Sequence, residues 1–206
     1  LPFESLTTQA LPKAKGYHQL HYALYQHTIS YAYSATSYYY QQYQHQNQTN
    51  SQILGFAPNY DNNLKLSTLK ANIQEVQFLE KEYSGAYYYN DNASKKVFQT
   101  ESKHFNILHL ASHGYADNHE LQQAKLFVAQ ESQDSLSAIV YPHEIVQLPL
   151  QADFVVLSAC KTAIGYWQEG EGIMSLARDF MYAGVPSILT TLWQITAQSR
   201  IPIIQA

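Results

Sequence analysis

One cysteine occurs in this chain, and it ends an apolar run, Phe154-Val-Val-Leu-Ser-Ala-Cys160, that continues into Lys161 and Thr162. A second apolar run, Ile107-Leu-His-Leu-Ala-Ser-His113, ends in histidine and is followed by Gly114. In open α/β sheets, ligands collect beyond the carboxyl ends of the strands. If both runs are neighbouring parallel strands that end at one rim, His113 and Cys160 meet although they are far apart in the chain. An imidazole beside a thiol accepts its proton or stabilises the thiolate, giving a strong nucleophile toward a carbonyl carbon. Gly114, with no side chain, lets a backbone N–H come close to a substrate; with the Cys160 N–H it can hold an oxyanion. A single cysteine at a strand end is also an ordinary small buried residue, and a histidine near an apolar run an ordinary core or rim residue. Spacing alone leaves catalysis and packing both open.

Other chemistries lack their signatures. There is no Gly-x-Ser-x-Gly elbow, no third glycine after Gly170-Glu-Gly172 at the dinucleotide spacing, and no phosphate-loop Gly-Lys-Ser/Thr. Nine histidines, among them His104, His109, His113 and His119, raise the question of a metal. On a helix His109 and His113 would share a face, but their neighbours predict a strand. At roughly 3.3 Å per residue that places them about 13 Å apart, too far to chelate. The reading is therefore of a site without a metal or an organic cofactor.

The elements that must position the pair follow from periodicity. Short runs rich in Val, Ile, Leu and Phe alternate with segments of helical spacing, which predicts an α/β fold with a parallel sheet and crossover helices. The predicted strands are 53–57, 105–112, 125–129, 154–159 and 187–193, each apolar enough to be covered on both faces. Leu69, Ile73, Val76, Leu79 and Tyr83 predict a helix over 67–83, and a short helix is predicted from about Ala93 with Ser94 as its cap. Ile173, Leu176, Ala177 and Phe180 extend helical spacing over 172–182, with Gly184 and Pro186 as the stop. Residues 17–31 are read as an edge strand or a short hairpin. The tyrosine- and glutamine-rich stretch around 31–50 has the composition of a disordered, prion-like segment, but with no Gly or Pro over 35–43 the preferred reading is a polar helix followed by a surface loop.

Composition bounds the partners. Twelve Lys+Arg against 16 Asp+Glu give a net charge of −4, which leaves no basic excess for nucleic acid or anionic lipid. No apolar stretch approaches the roughly 18 to 20 residues that cross a bilayer, and no charged-then-apolar leader opens the chain. One cysteine excludes an internal disulfide and favours a reducing compartment, so a cytoplasmic protein is expected. With no internal repeat and no long linker, residues 1–206 read as one domain. From the leucine at position 1 and the abrupt end at Ala206, a domain truncated at both ends is expected.

Five ordered segments resemble the CHAT domain, a caspase-like cysteine peptidase family often fused to tetratricopeptide repeats. They are Leu1-Pro-Phe-Glu-Ser-Leu6, Leu108-His-Leu-Ala-Ser-His-Gly114, Leu157-Ser-Ala-Cys-Lys-Thr162, the stretch from Glu169 to Arg178, and the stretch from Ala183 to Trp193. A histidine about 50 residues before a lone cysteine is itself the caspase arrangement. The resemblance implies a caspase-like α/β fold with a mostly parallel central sheet and helices on both faces. It makes His113 the general base or ion-pair partner, Cys160 the nucleophile, and Gly114 an oxyanion donor together with Cys160. Two positions depart from the family pattern: Lys161 stands where Glu is common, and Thr196 where an acidic residue usually follows Trp193 by three positions.

For specificity, related peptidases that cut after Arg or Lys often carry Asp two residues before the nucleophile, where this chain has Ser158. A neutral or apolar residue before the scissile bond is expected, with Asp61 able to reverse that choice. Trp193 is read either as a wall for a substrate side chain or as a core aromatic; Glu169 and Glu171 order the loop after Cys160 or sit in solvent. The expected function is a cysteine endopeptidase acting on a protein or peptide substrate through a thioester. The alternative is a catalytically silent interaction or regulatory module. Tetratricopeptide repeats or a regulatory partner outside this chain fit either reading, and neither needs nucleic acid or a membrane.

Overall fold

The computed structural model describes residues 6–10, 13, 15–29, 32, 34–36, 38–39, 52–60, 66, 70–115, 125–132, 134–158, 166–168, 172–174, 176–190, 202 and 204. The chain divides into two compact units, Leu1–Ala35 and Thr36–Ala206. In the first, the segment read as an edge strand or hairpin forms two 3-10 turns, Tyr17–Gln19 and Ala23–Tyr25, neither with a buried residue. A single antiparallel bridge joins Thr7 to Tyr22. It is held by Thr8 N–H on the His21 carbonyl and Ala23 N–H on the Leu6 carbonyl, both at 2.7 Å. Of the expected polar helix, Ala35, Thr36, Tyr38 and Tyr39 are helical; residues 37 and 40–50 and Leu1–Ser5 lie outside the described residues.

The second unit is built on β1 (Ile53–Pro58), α1 (Lys70–Glu82), β2 (Gly85–Asn90), α2 (Lys95–Glu101) and β3 (Ile107–Leu110). There follow β4 (Gly114–Tyr115), β5 (Lys125–Phe127), β6 (Ile139–Val140), α3 (Pro142–Val146) and β7 (Phe154–Leu157). The last elements are β8 (Tyr166–Gln168), β9 (Gly172–Met174), α4 (Leu176–Tyr182) and β10 (Ser187–Thr190). Five strands form one sheet in the order β10-β7-β3-β1-β2, and every pairing in it is parallel. From β1 the chain moves outward to β2 and then back past β1 to β3. Right-handed crossovers in opposite directions put their helices on opposite faces.

The cores show that division. Leu54 and Phe56, Leu108 and Leu110, Val155 and Leu157 alternate onto one face, where they join Phe98 of α2, Ile145 of α3, and Leu176 and Phe180 of α4. Phe56 and Phe98 meet edge to face with centroids 5.9 Å apart. On the other face Ala57 and Ala111 pack with Val76 of α1. Gly55 belongs to this face: a methyl group there would come within 2.9 Å of Val76 Cγ1 and closer still to the Tyr87 ring, so the close seating of α1 requires glycine. Ser94 caps α2, its hydroxyl accepting from Val97 N–H.

Two expectations are corrected. The segment predicted as a parallel strand over 125–129 belongs instead to a small antiparallel sheet, β4-β5-β6. The chain returns to β4 too soon for the dozen or more residues that a parallel crossover needs. Gly172–Met174 is not the start of a helix but one arm of an antiparallel pair with β8, with Trp167 opposite Ile173. Helix begins only at Leu176.

Two buried ionisable sites, a pair and a single carboxyl, bear on stability. His109 of β3 points at α1, where its Nε2 lies 2.7 Å from Glu75 Oε1, the two side chains 3% and 0% exposed. Removing one member leaves the other's polar atom unpaired in the core, so Glu75→Ala should cost on the order of 2 kcal/mol in a denaturant melt. Asp179 of α4 is also buried, and that burial pushes its carboxyl up to about 7 against the pull of Arg178. The folded state then holds a proton that the unfolded chain releases near 3.8, so stability declines as pH rises from about 4 to about 7 and levels off above that. Asp179→Asn should flatten the decline. The variant should melt above the parent at pH 8 and converge with it at pH 4, the gain bounded by about 1.4 kcal/mol per pKa unit.

Candidate active site

β3 sits between β1 and β7, and its register with both is fixed: Phe56 and Leu157 each stand opposite Leu110. The pairing continues past the strand ends, with Ala111 N–H on the Phe56 carbonyl at 2.9 Å and Ser158 N–H on the Leu110 carbonyl at 3.0 Å. Three chain segments therefore leave the sheet at one rim, at Asn59-Tyr60, Ala111-Ser112-His113 and Ser158. The β1/β3 boundary is also where the direction of the sheet's connections reverses, the place where α/β sheets open a crevice.

His113 is half-buried at this rim. Its main-chain N–H donates to the Tyr60 hydroxyl at 2.7 Å, and the Tyr60 ring lies beside the imidazole with centroids 4.8 Å apart and planes 49° to each other. Tyr60 is itself buried, which pushes its phenol up to about 12 against hydrogen bonds from Ser112 and the His113 main chain. The phenol is thus neutral at physiological pH and keeps its proton. Its hydroxyl faces the Phe127 carbonyl at 3.5 Å. Ser112 Oγ donates to the same carbonyl at 2.6 Å and lies 3.0 Å from the His113 carbonyl. The turn between β3 and β4 is thereby tied to β1 on one side and to β5 on the other.

The ladder also decides what the Gly114 amide faces. Phe127 N–H donates to the His113 carbonyl at 3.0 Å, while Gly114 stands opposite Leu126. That places Gly114 at a non-hydrogen-bonded pair, whose N–H and C=O point away from the partner strand. Its amide is therefore not used by β5 and is aimed to the outer side of the small sheet.

Of the residues singled out in the sequence, the structure brings His113, Gly114 and Ser158 to the carboxyl-end rim. Ser158 is 3% exposed. Cys160, Asp61 and Trp193 lie outside the described residues, as do Glu169 and Glu171; Cys160 is two positions beyond Ser158. Among the described residues no group of three or more His, Cys, Asp or Glu side chains is placed to hold a metal ion. Tyr60 was not anticipated. The one signal for it was position, since it follows directly on a strand whose carboxyl end feeds the rim.

The family model for the CHAT domain matches residues 1–205. The chain belongs to the CHAT domain family. The all-parallel five-stranded sheet with helices on both faces is its caspase-like α/β fold, and the family relationship makes this a caspase-like protein. No curated protein matches the chain. Among the described residues no helix of this CHAT domain is long and apolar enough to cross a membrane.

The Ser112 hydroxyl serves two carbonyls at the turn that carries His113. Ser112→Ala should lower stability by about 1 kcal/mol, read as a shift of the denaturation midpoint. Hydrogen exchange at the Phe127 amide should quicken beyond what that global loss accounts for.

Proposed function

We propose that this CHAT domain is a cysteine endopeptidase in which His113 and Cys160 form the catalytic dyad. The observation that supports this is the in-register parallel pairing of β3 with β7, because it ends both strands at one rim, with His113 three positions past β3 and Ser158 two positions before the cysteine. His113 takes the thiol proton, and the thiolate attacks the scissile carbonyl carbon. The N–H groups of Gly114 and Cys160 receive the oxyanion of the tetrahedral intermediate. His113 then protonates the leaving amine as the intermediate collapses to a thioester, and a water activated by the same ring releases the acyl product. No metal or organic cofactor is required for any of these steps.

The substrate is a protein or peptide with a neutral or apolar residue before the scissile bond. Ser158 offers no charge to a basic one; Asp61 and Trp193 are the other side chains assigned to substrate contact. A cytoplasmic location, and tetratricopeptide repeats or a regulatory partner supplied from outside these residues, complete the proposal.

The test uses the full-length protein and a thiol-directed peptidyl probe. Labelling at Cys160 that falls at least a hundredfold in His113→Ala, together with loss of peptide hydrolysis in Cys160→Ala at unchanged fold, is the expected result. Hydrolysis that survives Cys160→Ala would sink the assignment. A thiol that stays inert in the complete protein would point instead to a silent interaction module.

A further inference from the structure

Tyr60 is tied into the rim by hydrogen bonds and a ring contact, yet no step of the hydrolysis uses it. It arrives on a different strand from His113, and it meets that residue twice, by a 2.7 Å hydrogen bond from the main-chain N–H and by a ring contact with centroids 4.8 Å apart. At 5% exposure it is held in place by the core rather than by substrate. We propose that Tyr60 is a positioning residue that sets the orientation of the His113 imidazole, an inference that rests on His113 being the base of the dyad.

The geometry divides that work between two parts of one side chain. The hydroxyl accepts the His113 N–H and so fixes where the His113 Cα sits relative to β1. That N–H is then occupied, which leaves the next amide, at Gly114, as the one presented at the turn. The ring occupies one side of the imidazole and closes off the rotamers that would swing it toward β1. Ser112 braces the assembly from the other side through the Phe127 carbonyl that the Tyr60 hydroxyl also faces. Since a histidine must serve first as base and then as acid at nearly fixed atoms, an error of about 1 Å in its placement can cost about a hundredfold in rate. A brace that does not titrate at physiological pH suits that duty.

Two substitutions separate the two contacts. Tyr60→Phe keeps the ring and removes the hydroxyl; Tyr60→Leu removes both. In the full-length protein, peptide hydrolysis should lose about tenfold in kcat with the first and about a hundredfold with the second, with KM unchanged, because Tyr60 is not assigned to substrate. An NMR signature reads positioning without activity. The His113 ring protons, assigned by their absence in His113→Gln, should keep their ring-current displacement in Tyr60→Phe and lose it in Tyr60→Leu. The His113 amide should lose hydrogen-exchange protection in both. Tyr60→Phe preserves the core volume, so it decides the matter even if Tyr60→Leu does not fold. The inference is overturned if the His113 amide is indifferent to Tyr60→Phe, or if KM rises while kcat holds. Absent hydrolysis in the parent with the NMR responses intact would count against the peptidase reading and leave the positioning role standing.

Discussion

The register of β3 between β1 and β7 is the constraint on which the rest of this protein depends. In a parallel sheet every strand points the same way, so register decides which residues emerge together at the carboxyl-end rim. Leu110 is level with Phe56 and with Leu157, and the ladder continues one residue further on each side through Ala111 and Ser158. A slip of one residue would turn every side chain of β3 to the other face. His109 would then be driven into the large apolar core and Leu108 and Leu110 against Glu75. The two faces make such a slip expensive, and they thereby protect the rim.

Much of this was legible in the sequence because burial on both faces erases polar alternation. β1, β3, β7 and β10 all lie in apolar runs, and α1 carries its spacing of three from Ile73 through Val76 to Leu79. What hid from pattern has local causes. β2, Gly85-Ala-Tyr-Tyr-Tyr-Asn90, is a partly exposed edge strand whose tyrosines read as polar bulk. In the structure Tyr87 donates to the carbonyls of Leu79 and Tyr83 at 3.1 and 2.9 Å, and Tyr89 to Glu80 at 2.7 Å, so these side chains bind the end of α1 to the sheet. The strands β4, β5 and β6 are two or three residues long, shorter than any periodicity can resolve. Helical spacing through Ile173 was real as a pattern, but its first apolar member is used by the β8–β9 pair.

The site divides in the same way. The histidine and its glycine were legible as rim residues because each closes or follows an apolar run, whereas the cysteine was singled out by motif order and lies outside the described residues. Tyr60 could not be found so, since its partner His113 is remote in the chain and the contact exists only because β1 and β3 are neighbours. A tyrosine after a strand is unremarkable until the topology says what lies opposite. The same holds for Phe127, whose contribution is a carbonyl and therefore independent of its side chain.

The two histidines of β3 and its exit show how a single segment separates a core position from a rim position. Continued extension beyond Leu110 would keep His113 on the same face as His109, under α1 and closed to substrate. The chain instead turns at Ala111-Ser112, where the hydroxyl of Ser112 takes the Phe127 carbonyl and β4 begins in a new, antiparallel sheet. His109 remains behind as a buried partner of Glu75. His113 is carried round to the half-buried rim beside Tyr60. That turn matters more than the residue type, because an imidazole sealed at 3% exposure cannot exchange protons with a substrate, whereas one at the strand exit, held by its own main chain, can face outward without being loose.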